Sequence, residues 1–431
     1  MGRDALCFAP PRMGFLPDLS AAFVLSAALL CSACGAPEPP ESTGGTSVLP
    51  GACGRGMVVL SSDYQSSNVS LVGVDGAVLS DSFMSSATAA AGLSAPLSGD
   101  VTLSSSAYND DEIVVIDRYP ASVLSWVGVR DGAVREQLSV KTGFAANPQD
   151  YLRLGDGRAY VSRFEPNSSA GQLPFDAGDD LLILQTKPAQ VVGRVDLASA
   201  MAGEAAEFYV RPSRMLQVGG RVLVLSQGYN NTGFSASASS RLIAVDPTTD
   251  SVVDVLPLLG AHGCLAMALS PDQKLLAVSC AGEFAGRENP DVQSSMIVLV
   301  DPETLSERRR LRAVDHVGAP FGFGIGFVSP ERIIVTAMGI VDGSGNAALR
   351  DSVLSVAVDG STTEVILRSD DDAFVLGDVR CFAECGRCFV TDADRGLLHQ
   401  ISVDRDGVVE LKRSSRVGTS VGLPPRSLGA F

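Results

Sequence analysis

Seven polar or aromatic side chains occupy long, turn-rich segments and could contact a ligand or carry out acid–base chemistry. Histidine and glutamate transfer protons, arginine binds anionic groups, and tyrosine and asparagine offer ring and amide contacts. None of them falls in a cofactor-binding motif or a metal-ligand spacing, so we predict no cofactor, no metal and no assigned catalytic residue. The predicted ligand-binding residues are Arg163, Tyr229, Asn230, His262, Glu283, Arg287 and His316.

The cysteines form a second group of reactive residues. Nine are present, and three of these belong to the N-terminal segment described below. The other six form an even set in a chain predicted to be exported, which predicts disulfides with fifteen possible pairings. Placement on either side of a short turn favours Cys264–Cys280 and Cys381–Cys388. Cys385 lies at the second of these turns and Cys53 enters the first repeat unit from the same face, which favours Cys53–Cys385; the last two pairs remain open to exchange.

The N-terminal segment predicts export. An apolar run of 12 residues, Leu19–Leu30, follows two arginines and is too short to span a bilayer, which needs about 20 residues. It has the length of a signal-peptide core. We therefore predict a signal peptide over residues 1–33, and a flexible tether rich in Pro, Gly, Ser and Thr over residues 34–54.

The residues that end this segment, Cys31-Ser32-Ala33-Cys34-Gly35, resemble the bacterial lipoprotein box. In that motif small residues precede a cysteine that is lipidated and becomes the mature N-terminus. The resemblance implies lipidation of Cys34, an anchor in a membrane and a place in the bacterial cell envelope, at the outer membrane or facing the periplasm. Plain secretion is the alternative.

The overall charge excludes one class of partner. Lys and Arg total 33 and Asp and Glu total 49, which gives a net charge of −16. A surface this acidic repels phosphate backbones, so we predict no nucleic-acid partner. With 45% hydrophobic and 19% charged residues, the chain is also too apolar to be disordered.

Tight turns recur after apolar runs at a period near 55 residues, from Val74-Asp75-Gly76 to Val403-Asp404-Arg405. Each turn joins two short strands, and two further strands precede it, so each of seven units is a four-stranded antiparallel meander. Consecutive apolar residues, as in Val222–Leu225, indicate strands that are covered on both faces. We predict an all-β fold, a seven-bladed β-propeller over residues 55–431; two β-sandwiches are the alternative.

The two ends of the chain predict how the ring closes. The first unit begins at its second strand, near Met57, while the final segment Gly422–Phe431 resembles the innermost strands of other units. We predict that this C-terminal strand completes the first blade and leaves no open edge. We also predict a monomer.

Short segments connect these units to a known family. Ala159-Tyr160-Val161-Ser162 and Phe389-Val390-Thr391-Asp392 resemble the strand motif of the YVTN-type propeller repeats of bacterial secreted proteins, and Ser270-Pro271-Asp272-Gln273-Lys274 matches their usual turn. The resemblance covers roughly residues 55–431. It implies the propeller fold, and the family includes lactonases and adhesion-type repeats.

Four successive units carry long loops that share one face of a propeller, where ligands usually bind. We predict a membrane-tethered binding or scaffolding lipoprotein that takes an unknown protein or carbohydrate on this face, with His262 and His316 near the axis. The alternative is a lactonase-like hydrolase that uses His262, Glu283, His316 and Arg163, with or without a divalent metal. The loops are Phe164–Asp180, Gln227–Ser240, Ala281–Ser295 and Met338–Ser352.

Overall fold

A computed structural model describes residues 56–88, 92–106, 111–231, 235–370, 372–404 and 407–431. The predicted signal peptide, the lipidation site Cys34 and the tether lie outside these residues. Within the described ranges, no helix has both the length and the apolar character needed to cross a membrane.

The chain forms seven four-stranded antiparallel sheets. The first three blades contain β1 (Gly56–Ser62), β2 (Ser67–Gly73) and β3 (Val78–Ser85); β4 (Val101–Leu103), β5 (Glu112–Asp117), β6 (Val123–Gly128) and β7 (Val134–Ser139); and β8 (Pro148–Arg153), β9 (Arg158–Pro166), β10 (Gly178–Thr186) and β11 (Ala189–Asp196). Blades 4 and 5 contain β12 (Pro212–Val218), β13 (Arg221–Ser226), β14 (Arg241–Asp246) and β15 (Ser251–Pro257); and β16 (Cys264–Leu269), β17 (Leu276–Cys280), β18 (Met296–Asp301) and β19 (Ser306–Arg312).

The last two blades and a small hairpin complete the described chain. Blade 6 contains β20 (Phe321–Ser329), β21 (Arg332–Ala337), β24 (Ser352–Ala357) and β25 (Thr363–Arg368), with the hairpin β22 (Ile340–Val341) and β23 (Ala347–Leu349) inserted in its loop. Blade 7 contains β26 (Leu376–Phe382), β27 (Arg387–Asp392), β28 (Leu397–Val403) and β29 (Val409–Arg416), and β30 (Pro425–Ala430) follows. Among the described residues, the helical segments are one α-turn, Ala313–His316, and two 3₁₀ turns, Ala198–Met201 and Ala383–Cys385.

The seven-bladed propeller predicted from the period is confirmed. Each of the seven tight turns lies at the junction of the third and fourth strands of a blade, as in Val74-Asp75-Gly76 between β2 and β3. The reason is geometric, because antiparallel neighbours can be joined by two to five residues whereas successive blades need longer connections.

The predicted closure of the ring is also confirmed. Strand β1 pairs antiparallel with β30, and the register places Met57 opposite Ala430 and Val59 opposite Leu428. Blade 1 is therefore built from both ends of the described chain. Because every residue of β1 is buried, leaving this edge unpaired would expose backbone donors and acceptors together with an apolar strand.

The middle strands of a blade are the most deeply buried, and the core lies between neighbouring blades. Every residue of β17 is buried, whereas the outermost strand β15 is mostly exposed. In one of the clusters between blades, Leu223 and Leu242 of blade 4 pack against Met267 and Val298 of blade 5. A single sheet cannot cover both of its apolar faces, so each blade completes the core of the next.

Two of the three predicted disulfides are confirmed. Cys264 pairs with Cys280 across β16 and β17, and Cys381 pairs with Cys388 across β26 and β27. Cys385 is disulfide-bonded as well. Its predicted partner, Cys53, lies outside the described residues, so that pairing stays a prediction.

Candidate functional site

The long loops gather on one face of the ring. They join the second and third strands of blades 3 to 6, and the connections between successive blades open on the same side. We call this side the loop face. In the structure the four loops span residues 167–177, 227–240, 281–295 and 338–351, close to the predicted bounds.

A pocket of about 220 Å³ opens on the loop face beside the inner strands of blades 5 and 6. We call it the loop-face pocket. Its lining is almost entirely apolar, and the side chains come from separate segments of blades 4 to 7. The larger ones are Tyr229, Leu265, Phe284, Phe323, Met338 and Phe374.

Two of these rings remain accessible to solvent. Phe284 is 44% exposed, and Phe323 is 46% exposed although the rest of its strand β20 is almost wholly buried. Large aromatic side chains are usually buried, and several exposed ones in one concave site are typical of a binding surface. The alternation Phe321-Gly322-Phe323-Gly324 is the sequence signal that could have pointed to this strand.

Glycine is required at two positions in the pocket wall. Gly263 and Gly282 both have positive φ, +57° and +101°. A Cβ at Gly282 would lie 2.2 Å from the carbonyl oxygen of Asp291, and one at Gly263 would lie 2.7 Å from the carbonyl oxygen of Gly282. Only glycine allows the connection before β16 and the loop after β17 to approach this closely.

A buried carboxylate holds the opposite wall. Asp351 is fully buried, and its Oδ1 accepts hydrogen bonds from the N–H groups of Gly339 at 2.5 Å and Phe374 at 2.9 Å. Its Oδ2 accepts from Val375 at 2.7 Å and Leu376 at 2.8 Å. One side chain therefore fixes the two segments that carry Met338 and Phe374. The sequence analysis missed this residue because its four partners are distant or flanking backbone groups.

A polar cluster lies next to the pocket. Ser237 Oγ donates to Glu283 Oε2 at 2.8 Å and lies 2.9 Å from His262 Nδ1. The same nitrogen of His262 is 3.1 Å from Glu283 Oε2. In serine hydrolases the nucleophile and the acid contact opposite nitrogens of the histidine, so this triangle is not a catalytic triad. It presents a carboxylate and an imidazole that could bind a polar group or take a proton.

The pocket and the cluster are electrostatically linked through Tyr229. Burial, reinforced by the Glu283 carboxylate, raises the pKa of Tyr229 to about 12. The phenol is therefore neutral at physiological pH. Glu283 also lies between Gly282 and Phe284, both of which line the pocket.

Three of the seven predicted ligand-binding residues are thus brought together, namely Tyr229, His262 and Glu283. Arg163 is placed elsewhere, because it is fully buried inside blade 3 and donates to both carboxylate oxygens of Asp180, at 2.8 and 2.7 Å. A ligand on the loop face cannot reach a side chain in that position.

The remaining three also lie outside the pocket lining. Asn230 is 5% exposed and hydrogen-bonds within its own loop to Ser235. Arg287 is exposed to solvent. The expectation that His316 lies near the axis is wrong, since its Nδ1 hydrogen-bonds to Thr363 Oγ1 on the outermost strand of blade 6.

A larger cavity of about 610 Å³ lies along the propeller axis, on the side away from the loop face. Arg214 and Arg380 line it, and Arg380 donates to the backbone oxygens of Ser105 and, at 3.2 Å, of Ser104. Burial raises the pKa of Asp378, while Arg214 and Arg380 act against the rise. These arginines therefore face oxygens of the chain itself, and we assign them a structural role that links blades 2, 4 and 7.

The acidic residues that the structure describes do not assemble a metal site. Within the described ranges, no group of three or more His, Cys, Asp or Glu side chains has the geometry to hold a metal ion. Asp392 is instead paired with Arg395 at 2.7 Å and His399 at 2.9 Å.

Comparison with known proteins identifies shared folds. No protein-family model matches the chain, and no curated protein matches it. Among solved structures, it is similar to a Bacteroides uniformis protein provisionally assigned as a 6-phosphogluconolactonase, with TM-score 0.54, 10% identity and coverage of 88% of this chain and 99% of the other.

Two further structures show the same likeness. A protein from Lactobacillus plantarum has TM-score 0.54 and 10% identity, over 88% of this chain and 99% of the other. The β-propeller domain of Cps50 (Swd1) from Myceliophteria thermophila has TM-score 0.51 and 12% identity, over 80% of this chain and 98% of the other. At such identities the likeness shows the propeller fold alone, which hosts unrelated functions.

Proposed function

We propose that this protein is a binding module whose loop-face pocket takes an apolar group of its ligand. The observation that carries the proposal is the pocket itself, about 220 Å³ in volume and lined by four aromatic rings, with Phe284 and Phe323 half exposed. Filling it would remove apolar surface from water, which contributes roughly 25 cal/mol for each Å² buried.

The scaffold supports such a role because it holds the pocket walls before any ligand arrives. In the disulfide Cys264–Cys280, Cys264 lies between two lining residues and Cys280 directly precedes a third, and Asp351 fixes the opposite wall. A preformed pocket does not have to be ordered on binding, so less of the contact energy is lost.

Indole is a suitable neutral probe for this pocket, with binding followed by saturation-transfer NMR and calorimetry on the full chain. We expect the substitution Phe323→Ala to weaken indole binding by roughly tenfold, the effect of losing one aromatic contact. The matched control is Leu259→Ala, since Leu259 is 68% exposed and lies outside the pocket lining. Equal affinities in both variants, or no binding to the parent protein, would refute the proposal.

We further propose that the module is a lipoprotein of the bacterial cell envelope, anchored through Cys34. The box at residues 31–35 supports this, and so do the disulfides of blades 5 and 7, which persist in oxidising compartments. Substituting Cys34→Ser in the native host should move the protein from the membrane fraction to the soluble fraction. An unmodified N-terminal peptide in the mass spectrum of the parent protein would contradict the proposal.

A lactonase-like hydrolase is the second candidate, favoured by the contact between His262 and Glu283 beside the pocket. Either side chain could take the proton of a water molecule that attacks a lactone carbonyl. The Bacteroides uniformis assignment makes sugar lactones the first substrates to test. Hydrolysis that is lost in Glu283→Gln, with indole binding retained, would support this candidate. No turnover across a broad lactone panel would oppose it.

A further inference from the structure

The aromatic lining has an electrostatic character as well as an apolar one. Tyr229, Phe284, Phe323 and Phe374 reach the loop-face pocket from four separate segments. Each ring carries negative potential on its faces, so a cation surrounded by several rings is attracted by all of them. Such an arrangement favours a cationic apolar group over a neutral group of the same shape.

A carboxylate next to the lining in the chain strengthens this preference. Glu283 is next to two lining residues, and its Oε1 accepts a hydrogen bond from the N–H of Ala285 at 3.0 Å. Its Oε2 accepts from Ser237 at 2.8 Å. Neither donor carries a charge, so the negative charge of Glu283 is not cancelled by them. Burial is the main cause of the raised pKa of Tyr229, and the charge of Glu283 adds to it.

His262 is the basic side chain in contact with Glu283: its Nδ1 lies 3.1 Å from Glu283 Oε2, and it carries a positive charge only when protonated. Among the described residues that line the pocket there is no lysine or arginine, and Arg287 of the same loop is exposed to solvent. Around blade 7, burial and the carboxylates of Asp372, Asp392 and Asp370 raise the pKa of Asp394, while Arg395 acts against the rise.

We propose that the loop-face pocket binds a quaternary ammonium group, such as a trimethylammonium head. This inference rests on the binding function proposed above and names its ligand class. A primary ammonium carries three N–H donors, which would lose their hydrogen bonds to water in a lining with few acceptors. A quaternary group has no such donors, so its methyl groups contact the rings without that loss.

The sharpest test compares two probes that differ in charge and not in shape. Choline and 3,3-dimethylbutan-1-ol are isosteric, because the second has a carbon atom where the first has the cationic nitrogen. We expect calorimetry on the full chain to give choline at least tenfold tighter binding than the neutral alcohol. Ethanolamine, the primary ammonium analogue, should bind more weakly than choline.

Two isosteric substitutions on one loop separate the role of Glu283 from a general charge effect. Glu283→Gln should reduce the affinity for choline about tenfold and leave the affinity for the neutral alcohol unchanged. Glu288→Gln makes the same charge change at an exposed position outside the pocket lining and should alter neither.

The outcomes distinguish this inference from the function on which it rests. Equal binding of choline and the alcohol would overturn the quaternary ammonium assignment while leaving the pocket as a binding site. An unchanged affinity of Glu283→Gln for choline would also overturn it. Failure of choline, the alcohol and indole to bind would refute the binding function itself.

Discussion

A single carboxylate organises one wall of the loop-face pocket. The four N–H groups bound by Asp351 belong to Gly339, to the last two residues of the connection between blades 6 and 7, and to the first residue of β26. A buried carboxylate is stable only when it is paired or hydrogen-bonded in this way, because desolvation of an ion is costly. Asp351 is therefore a positioning residue for Phe374.

The first prediction concerns this carboxylate. Asp351→Asn places an amide NH₂ against backbone donors, so we expect a loss of roughly 2–3 kcal/mol in the free energy of unfolding and weaker indole binding. Urea denaturation and NMR titration measure the two effects. Asp342→Asn is the control, because exposed Asp342 lies in the same loop and accepts hydrogen bonds from Ser344 and Asn346 only within its turn. Equal losses in the two variants would contradict the role assigned to Asp351.

The second prediction is a pH dependence at the turn after β18. The N–H of Thr304, the guanidinium of Arg308 and the N–H of Glu303 hold the pKa of Asp301 at about 2. The ordinary value for Asp is near 3.9. Because the folded pKa is the lower one, this carboxylate stabilises the fold above about pH 4, and its contribution is lost as the pH falls towards 2.

Urea denaturation of Asp301→Asn measures this contribution. After allowance for solvent screening, we expect the variant to be less stable than the parent by roughly 1 kcal/mol at pH 7, with the difference shrinking between pH 4 and pH 2. Asp254→Asn, a change at an exposed position of β15, should show a smaller difference at pH 7. If the stability difference between the parent and Asp301→Asn were as large at pH 2 as at pH 7, the stabilising role of the Asp301 carboxylate would be disproved.

At the scale of elements, the hairpin of β16 and β17 couples stability to the pocket. Its disulfide joins Cys264 and Cys280, and the residues beside them, Gly263, Leu265 and Ala281, line the pocket. The close approach of Gly263, in the connection before β16, to Gly282, in the loop after β17, lies at the same end of the hairpin. Any spreading of these two strands would therefore widen the pocket.

The third prediction follows from this arrangement. Replacing both cysteines by alanine removes a crosslink over 16 residues, for which chain entropy predicts a loss of about 3 kcal/mol. Indole affinity should fall as well, as measured by calorimetry. The matched control replaces Cys381 and Cys388, whose crosslink spans 7 residues outside the pocket lining. The link between disulfide and pocket would be refuted if indole affinity fell in the control, or if it were unchanged in the variant without Cys264 and Cys280.

At the scale of the whole molecule, closure of blade 1 decides whether the ring is a single cooperative unit. Strand β30 supplies its innermost strand, and Phe431 hydrogen-bonds through its backbone with Gly56. Each blade covers an apolar face of the next, so an open ring exposes faces at both sides of the gap.

The fourth prediction tests this closure. A chain ending at Pro424 lacks β30, and we expect it to unfold at a lower temperature, over a broader transition, with faster proteolysis of β1. Calorimetry and limited proteolysis measure both effects. A synthetic peptide covering residues 424–431 should restore part of the lost stability, which separates loss of the strand from general misfolding. If the truncated chain had the same thermal unfolding midpoint as the parent, closure of the ring would contribute nothing to stability.

The propeller was predictable because its signals are local and repeated. A turn such as Val74-Asp75-Gly76 follows from neighbouring residues, and its recurrence at a fixed period specifies the number of blades. The pairs Cys264–Cys280 and Cys381–Cys388 follow from the same reasoning, since residues placed symmetrically about a hairpin turn face each other. Strand pairing and blade count thus depend on short-range patterns.

The candidate site was predictable only in part, because a pocket depends on which segments meet. Arg163 and Glu283 are equally plausible ligand contacts by residue type, yet Arg163 is enclosed with Asp180, whereas Glu283 is flanked by two residues of the pocket lining. Phe323 and Phe374 lie 51 positions apart in the sequence and share one cavity. By itself the sequence determined the repeating unit, the number of blades and the closing strand, because these arise from local periodicity. The tertiary structure alone decided which side chains converge, because convergence depends on long-range packing around the ring.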